Sequence, residues 1–371
     1  MTHPAHTDPA ALVGDRPATG KALKAVARRR VEWADSAKGL SIIGVCLMHV
    51  VTAIPGGTET GWGLFSSLLD PLRMPLFFLV SGLFAHRVIT RNLEDLWYRR
   101  LWFLLVPYLV FTPIQAAIRL NITNELTPWS LVKAVALGDP GLWFLYTLML
   151  YNIAAVVLRH QPPWLAVVIS MVPLFVGAFS GLVVEQSFRQ SMMYAPVFFL
   201  GLHFRTFFFS LSRRASHLPT VAAVALLFVA WEFVFRHVTS HLYTDWSETV
   251  AGQSAVLSLV RTFTAVPFGV IIAVWISRTP LLSNCVNFVG RNTLPIYCTH
   301  HAALHFVNSD LLPFLSRQNP AVATALESVD VRIYVGFATC FLAGSVFYWV
   351  GKTPILGWTL HPPKLPRRNA R

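Results

Sequence analysis

Trp-Ala-Asp-Ser-Ala-Lys-Gly-Leu-Ser-Ile-Ile-Gly-Val-Cys-Leu-Met-His-Val-Val-Thr-Ala-Ile, residues 33–54, is the stretch whose reading decides the fold. From Gly39 to Ile54 it is almost wholly apolar, and with its flanks it is long enough to cross a bilayer as a helix. It nevertheless opens with Asp35 and Lys38 and carries His49 in its middle. Residues eleven apart on a helix differ by about 20° in heading, so Lys38 and His49 share a face, about 16 Å apart along the axis. Asp35 lies roughly 40° off that line, one turn further out. An ionisable group at mid-membrane is costly and marks a candidate functional site. The alternative is a histidine that donates to a backbone carbonyl between packed helices.

The rest of the composition agrees. Of 371 residues, 54% are hydrophobic and 13% charged, with a mean hydropathy of +0.54. That charge content is about half the usual globular share. With repeated long apolar runs it implies an all-α, polytopic membrane helical bundle. The net charge of +13 fits basic cytoplasmic loops and gives no reason to invoke nucleic acid. Cys46, Cys285, Cys298 and Cys340 show no CxxC spacing, so neither a disulfide framework nor a zinc site is expected. Residues 1–30 lack the apolar core of a cleavable signal peptide, so the first apolar run is expected to stay in the membrane.

Outward from that run, residues 1–32 read as a disordered basic cytoplasmic tail, 33–352 as the transmembrane domain and 353–371 as a cytoplasmic C-terminal tail. Pro55-Gly56-Gly57 starts a short polar loop. A second helix begins near Asp70-Pro71, with Asp70 as N-cap, and runs to about His86. Further helices are expected near 101–120, 141–158, 164–184, 191–208, 218–236, 253–277, 292–308 and 331–351. This makes about ten transmembrane helices, N-in and C-in. On that map 21 of the 30 Lys and Arg fall in cytoplasmic segments, and only 6 in outer loops and span ends. That bias is the expected positive-inside pattern. There is no internal repeat.

Depth then follows from about 1.5 Å per residue. His49 lies roughly 16 Å beyond Lys38, Arg73 about 20 Å from the inner face and His300 roughly 12 Å deep. Tyr297 is one turn from His300 on the same face. His49, Arg73 and His300 thus reach nearly one level from three helices. A neutral buried histidine is a plausible general base. A buried arginine must face a polar partner, which could be an oxyanion or simply Asp70 three residues away. Lys38 reads either as a phosphate contact at the cytoplasmic entrance or as an interfacial anchor. Arg261 could meet a polar acceptor or a structural partner, and Glu232 and Arg236 pair at i, i+4. The His301/His305 spacing has no neighbouring carboxylate or cysteine cluster to support a metal. Trp143, Phe144 and Tyr146 suit an interfacial aromatic belt.

These residues resemble the acyltransferase 3 family of integral membrane O-acyltransferases. Asp-x-x-Lys-Gly followed by His49 is similar to the family's first-helix signature, an Arg or Lys eleven residues before a His. Arg-Met-Pro-Leu-Phe-Phe-Leu-Val-Ser-Gly at 73–82 resembles the second-helix motif, especially in the branch that includes periplasmic glucan succinyltransferases. Arg99-Arg100 with Pro107, Leu-Trp-Phe-Leu at 142–145, and Gly-Arg-Asn-Thr-Leu-Pro-Ile-Tyr-Cys-Thr-His at 290–300 follow in the family's order. Lys38 and Thr293 stand where Arg and Ser are commoner.

The resemblance implies transfer of an acetyl or succinyl group from cytoplasmic acyl-CoA to a hydroxyl of an envelope glycan or glycolipid, in the inner (plasma) membrane. His49, Arg73 and His300 would be catalytic, with His49 as general base and Arg73 stabilising negative charge. Lys38 and Asp35 would hold the donor, and Tyr297, Ser81 and Arg261 would line the site. Acyl-CoA would be a co-substrate, with no cofactor and no metal. Two other classes fit a polytopic bundle: a transporter of a lipid-linked sugar or small anion, and a non-catalytic scaffold. The first calls for paired, Gly/Pro-interrupted helices in related halves. The second has no need of converging His and Arg.

Overall fold

The computed structural model describes residues 31–138, 141–179, 186–242 and 248–366, so nearly all of the expected N-terminal tail and the last five residues lie outside it. The described residues are helical, with no strand among them. The first apolar run forms α1, Glu32–Ala53. Glu32 and Asp35 in its first turn complement the helix dipole. It ends where Ile54, preceding Pro55, is extended (φ −107°, ψ 120°). After a 3₁₀ turn at Gly57–Glu59 comes α2, Gly61–Leu83.

The expected start of this second helix needs correction. Thr60, not Asp70, is the N-cap: its Oγ1 accepts the Gly63 N–H at 3.2 Å. Asp70 and Pro71 lie nine and ten residues inside the helix. The apolar run from Trp62 to Leu69 supplies the extra turns. Pro71 and Pro75 are tolerated because, in a bundle, neighbouring side chains take up the backbone groups a proline frees.

Later elements are α3 (Leu93–Ile122, with a π-turn at Trp97–Leu101), α4 (Pro128–Leu137), α5 (Trp143–Val157) and α6 (Pro163–Phe179). They continue as α7 (Gln186–His203), α8 (Arg205–Arg213), α9 (Leu218–Leu242), α10 (Glu248–Arg278) and α11 (Pro280–Arg291). α12 (Thr293–Phe306) runs on through a π-turn into α13 (Leu312–Gln318). The chain ends in α14 (Pro320–Ala325) and α15 (Val329–Val350).

Among the described residues, six helices are long and apolar enough to cross a membrane: α1, α2, α3, Leu218–Ser240, Ala255–Arg278 and α15. The bent pair Phe188–His203 and Arg205–Arg213 would make a seventh. The sequence expectation of one straight helix over 191–208 fails at Phe204, where the axis turns by 77°. Beyond it Arg205, Ser210, Ser212 and Arg213 alternate with Phe207, Phe208 and Leu211. Such an amphipathic segment cannot continue a fully apolar span. The segment between 278 and 292, read from sequence as a connection, is the helix α11.

α1 lies at the centre, packed on α2, α10, α11, α12 and α15. One core joins α1 and α2 to α5, α7 and α12; Phe78 is fully buried against Phe144, Tyr151 and Tyr194. A second joins the first turns of α1 to α2 and α10 through Leu76, Leu79, Val270 and Ile271. Trp143 (8% exposed) and Phe144 (5%) belong to the first core and not to an interfacial belt, because α5 begins inside the bundle. α9 is the converse. It exposes Leu226, Leu227, Val229 and Phe233, an apolar surface suited to lipid.

Two glycine pairs set the tightest crossings. A Cβ on Gly82 would overlap the Phe198 carbonyl, and one on Gly201 the Leu79 carbonyl, so α2 and α7 meet backbone to backbone. Gly290 and Gly39 do the same for α11 and α1, against Asp35 and Val286.

Candidate active site

His49 of α1 meets α12 in the middle of the bundle. Its ring centroid lies 5.2 Å from that of His300 and 5.0 Å from that of His301. His300 is fully buried, and its Nδ1 lies 3.1 Å from the Ile296 carbonyl and 3.0 Å from that of Tyr297. A carbonyl can only accept, so Nδ1 carries the hydrogen and Nε2 presents its lone pair. That Nε2 is buried without a hydrogen-bond partner among the described residues. The imidazole is therefore held in one tautomer, with an acceptor free for a proton or a substrate hydroxyl.

The turn carrying His300 is pinned from two sides. Tyr297 Oη accepts the Phe144 N–H at 3.1 Å, at the start of α5. Gln115 Nε2 of α3 donates to the Cys298 carbonyl at 2.7 Å. α12 can begin at Thr293 because Asn292 (φ −120°, ψ 36°) breaks the run from α11.

Arg73 comes from α2. Its Cγ occupies space that a Cβ on Gly44 would need, so Gly44 admits the arginine against α1. One guanidinium nitrogen donates to the Ser66 carbonyl and Oγ at 3.3 and 3.2 Å, and the other to Asp70. The ion pair weighed as the alternative for Arg73 is thus present, and it is part of something larger. Arg261 of α10 donates to Asp70 at 2.9 Å and to both oxygens of Glu232 at 2.7 Å each, and its guanidinium stacks on Phe235 at 4.4 Å. Arg236 adds its own bond to Glu232 at 3.0 Å. Asp70, Arg73, Phe235, Arg236 and Arg261, with Thr52, Ser66, Ser67 and Thr239, line a groove of about 600 Å³ that also takes in Met48 and Val51 of α1.

At the other end of α1, Lys38 Nζ lies 3.0 Å from Asp35 and Arg291 Nε 3.2 Å from the same carboxylate. Ser36 Oγ donates to Asn287 at 2.7 Å, locking α11 alongside. Ser81 stays apart from both clusters, its hydroxyl donating to the Phe77 carbonyl of its own helix at 2.8 Å.

The fold therefore brings His49, His300 and Tyr297 together, packs Arg73 on Gly44 of the helix that carries His49, and joins Arg261 to Arg73 through Asp70. Asp35 and Lys38 form a separate cluster, about three turns away along α1. Sequence reasoning missed Arg291, though it lies in the Gly-Arg-Asn segment, and it paired Glu232 with Arg236 without the stronger Arg261 partner. It also gave His301 no role; the adjacent histidines were legible, but not their contact with His49. No group of three or more His, Cys, Asp or Glu among the described residues is placed to hold a metal.

No curated protein and no solved structure matches the chain. A family model does: the acyltransferase domain of the acyltransferase 3 family, over residues 31–350. That span takes in α1 through α15 with both clusters, and so the protein is a membrane-helix acyltransferase, of the class that transfers groups other than aminoacyl, and belongs to the acyltransferase 3 family.

Proposed function

We propose that the protein moves a short acyl group, acetyl or else succinyl, from cytoplasmic acyl-CoA to a hydroxyl of an envelope glycan or glycolipid. The observation that carries this reading is the His49–His300 pair, in which His300 offers a buried, unpartnered ring nitrogen at mid-bundle. The bundle would cross the inner membrane about ten times with both termini inside, the shorter α5, α6 and α12 completing spans with their flanks. The Asp35–Lys38–Arg291 end of α1 then faces the cytoplasm and the groove at Asp70 and Arg261 faces outward.

His49 takes the proton of the acceptor hydroxyl as its oxygen attacks the thioester carbonyl, with His300 and Tyr297 completing the site. Arg73, held by Asp70 and Ser66, provides a preorganised positive charge for the oxyanion that develops. Lys38 and Arg291, both gathered by Asp35, offer cationic contacts to the phosphates of the donor. The hydroxyl and carboxylate lining of the outer groove, with Phe235 and Arg261, suits a polyhydroxylated acceptor. Ser81, tied to its own helix, would line the inner approach along α2.

The test uses purified protein, labelled acetyl-CoA or succinyl-CoA and total envelope glycans, with ester formation as the readout. His49→Ala should still fold, since no covalent or metal framework depends on it, and should lose roughly 10²–10⁴-fold in rate. Arg73→Lys should also be impaired, because lysine cannot reproduce the planar donor fork. Wild-type ester levels from well-folded His49→Ala protein would refute the mechanism.

A further inference from the structure

The imidazoles in the bundle do not stop at His49. On α12, His301 stands 5.0 Å from His49 between ring centroids, and His305, one turn on, lies 4.6 Å from His301. His300 is sealed, whereas His301 and His305 are half-buried, so the row leads from the interior toward the end of α12 that the proposed topology puts outside. An imidazole can accept a proton at one nitrogen and give one up from the other. Rings in contact can therefore pass a proton by successive transfers and reorientation. Filling space would ask for leucine at these positions, as at Leu304 between them.

We propose that His301 and His305 carry the acceptor hydroxyl's proton from His49 to the outer face, a role that rests on His49 being the base of the transfer reaction. The balance is complete. The hydroxyl oxygen bonds to the acyl carbon as the C–S bond breaks. The hydroxyl proton passes to His49, then His301, then His305, then to water outside. The coenzyme A thiolate takes a proton from water at the inner mouth. One proton enters from inside and one leaves outside per ester formed. His301 and His305 act through His49 and are positioning residues for its proton, not residues that touch the acyl group.

The experiment compares wild-type, His301→Ala, His301→Gln, His305→Ala and His305→Gln, each purified and reconstituted in vesicles, with labelled acetyl-CoA and total envelope glycans. The relay requires that kcat fall about tenfold or more while KM for donor and acceptor stays put. It also requires that added imidazole restore a good part of the rate to the alanine variants, as a mobile substitute for the missing ring. Wild-type kcat in both glutamine variants would overturn the relay alone. A loss that imidazole does not restore would do the same, making the two histidines packing residues. Absence of ester from wild-type protein would overturn the acyl-transfer reading, and the relay with it.

Discussion

Arg261 holds Glu232 through two hydrogen bonds of 2.7 Å each, tying α10 to α9 although α9 presents an almost wholly apolar surface. Both side chains are about seven-eighths covered (13% and 14% exposed), so neither charge can turn to water without its partner. Breaking such a pair from one side leaves an uncompensated buried charge. Glu232→Ala should cost about 2–4 kcal/mol of stability, read as a lowered Tm in detergent. Replacing both partners, Glu232→Met with Arg261→Met, should recover part of that loss. An unchanged Tm in Glu232→Ala would mean that Asp70 and Phe235 suffice to hold Arg261.

At the N-terminal end of α1, Asp35 gathers Lys38 and Arg291. Lys38→Arg should keep activity, since arginine can make the same carboxylate contact and reach a phosphate. Lys38→Ala should raise KM for acyl-CoA more than KM for the acceptor. Equal donor dependence in Lys38→Ala and wild-type would return Lys38 to the role of an interfacial anchor.

The α2–α7 crossing depends on Gly82 and Gly201 having no side chains. The clash in each case is with backbone, which cannot swing aside as a flexible side chain does. Gly82→Val should therefore push the helices apart at a cost of about 1–3 kcal/mol or more, the usual penalty of overpacking. Thermal unfolding and the yield of monodisperse protein measure it. Gly61→Val, at a position open to solvent around it, is the control and should leave both near wild-type.

The orientation is testable by reporter fusions. The proposed orientation predicts Ala10, Asp95 and Leu365 in the cytoplasm and Thr58 outside. A reporter at Thr58 that is active only in the cytoplasm would invert the assignment of donor and acceptor sides.

Much of this protein was legible in its linear order. Apolar runs interrupted by glycine, proline and arginine settle a helical membrane bundle, because every backbone polar group in hydrocarbon must be satisfied within its own segment. The eleven-residue spacing from Lys38 to His49 places those two on one face of one helix at different depths, from helical geometry alone. The resemblance to the family, read from motifs at 35–49, 73–82 and 290–300, agrees with the match over residues 31–350.

Partners between helices were not legible, and neither were helix ends that depend on them. Asp70-Pro71 has the local signature of a helix start, yet α2 begins at Gly61. Thr60 caps α2 ten residues earlier, and Arg73 and Arg261 take the Asp70 carboxylate from the helix interior. Nothing at positions 232 and 261 says that they meet. The contact of His301 with His49 is likewise a product of crossing geometry. Along the chain, periodicity and the cost of unpaired backbone in an apolar medium determine which segments become helices. Which buried charge finds which partner depends on how those helices cross, since a side chain's partners lie a few ångströms away in space and tens to hundreds of residues away in sequence.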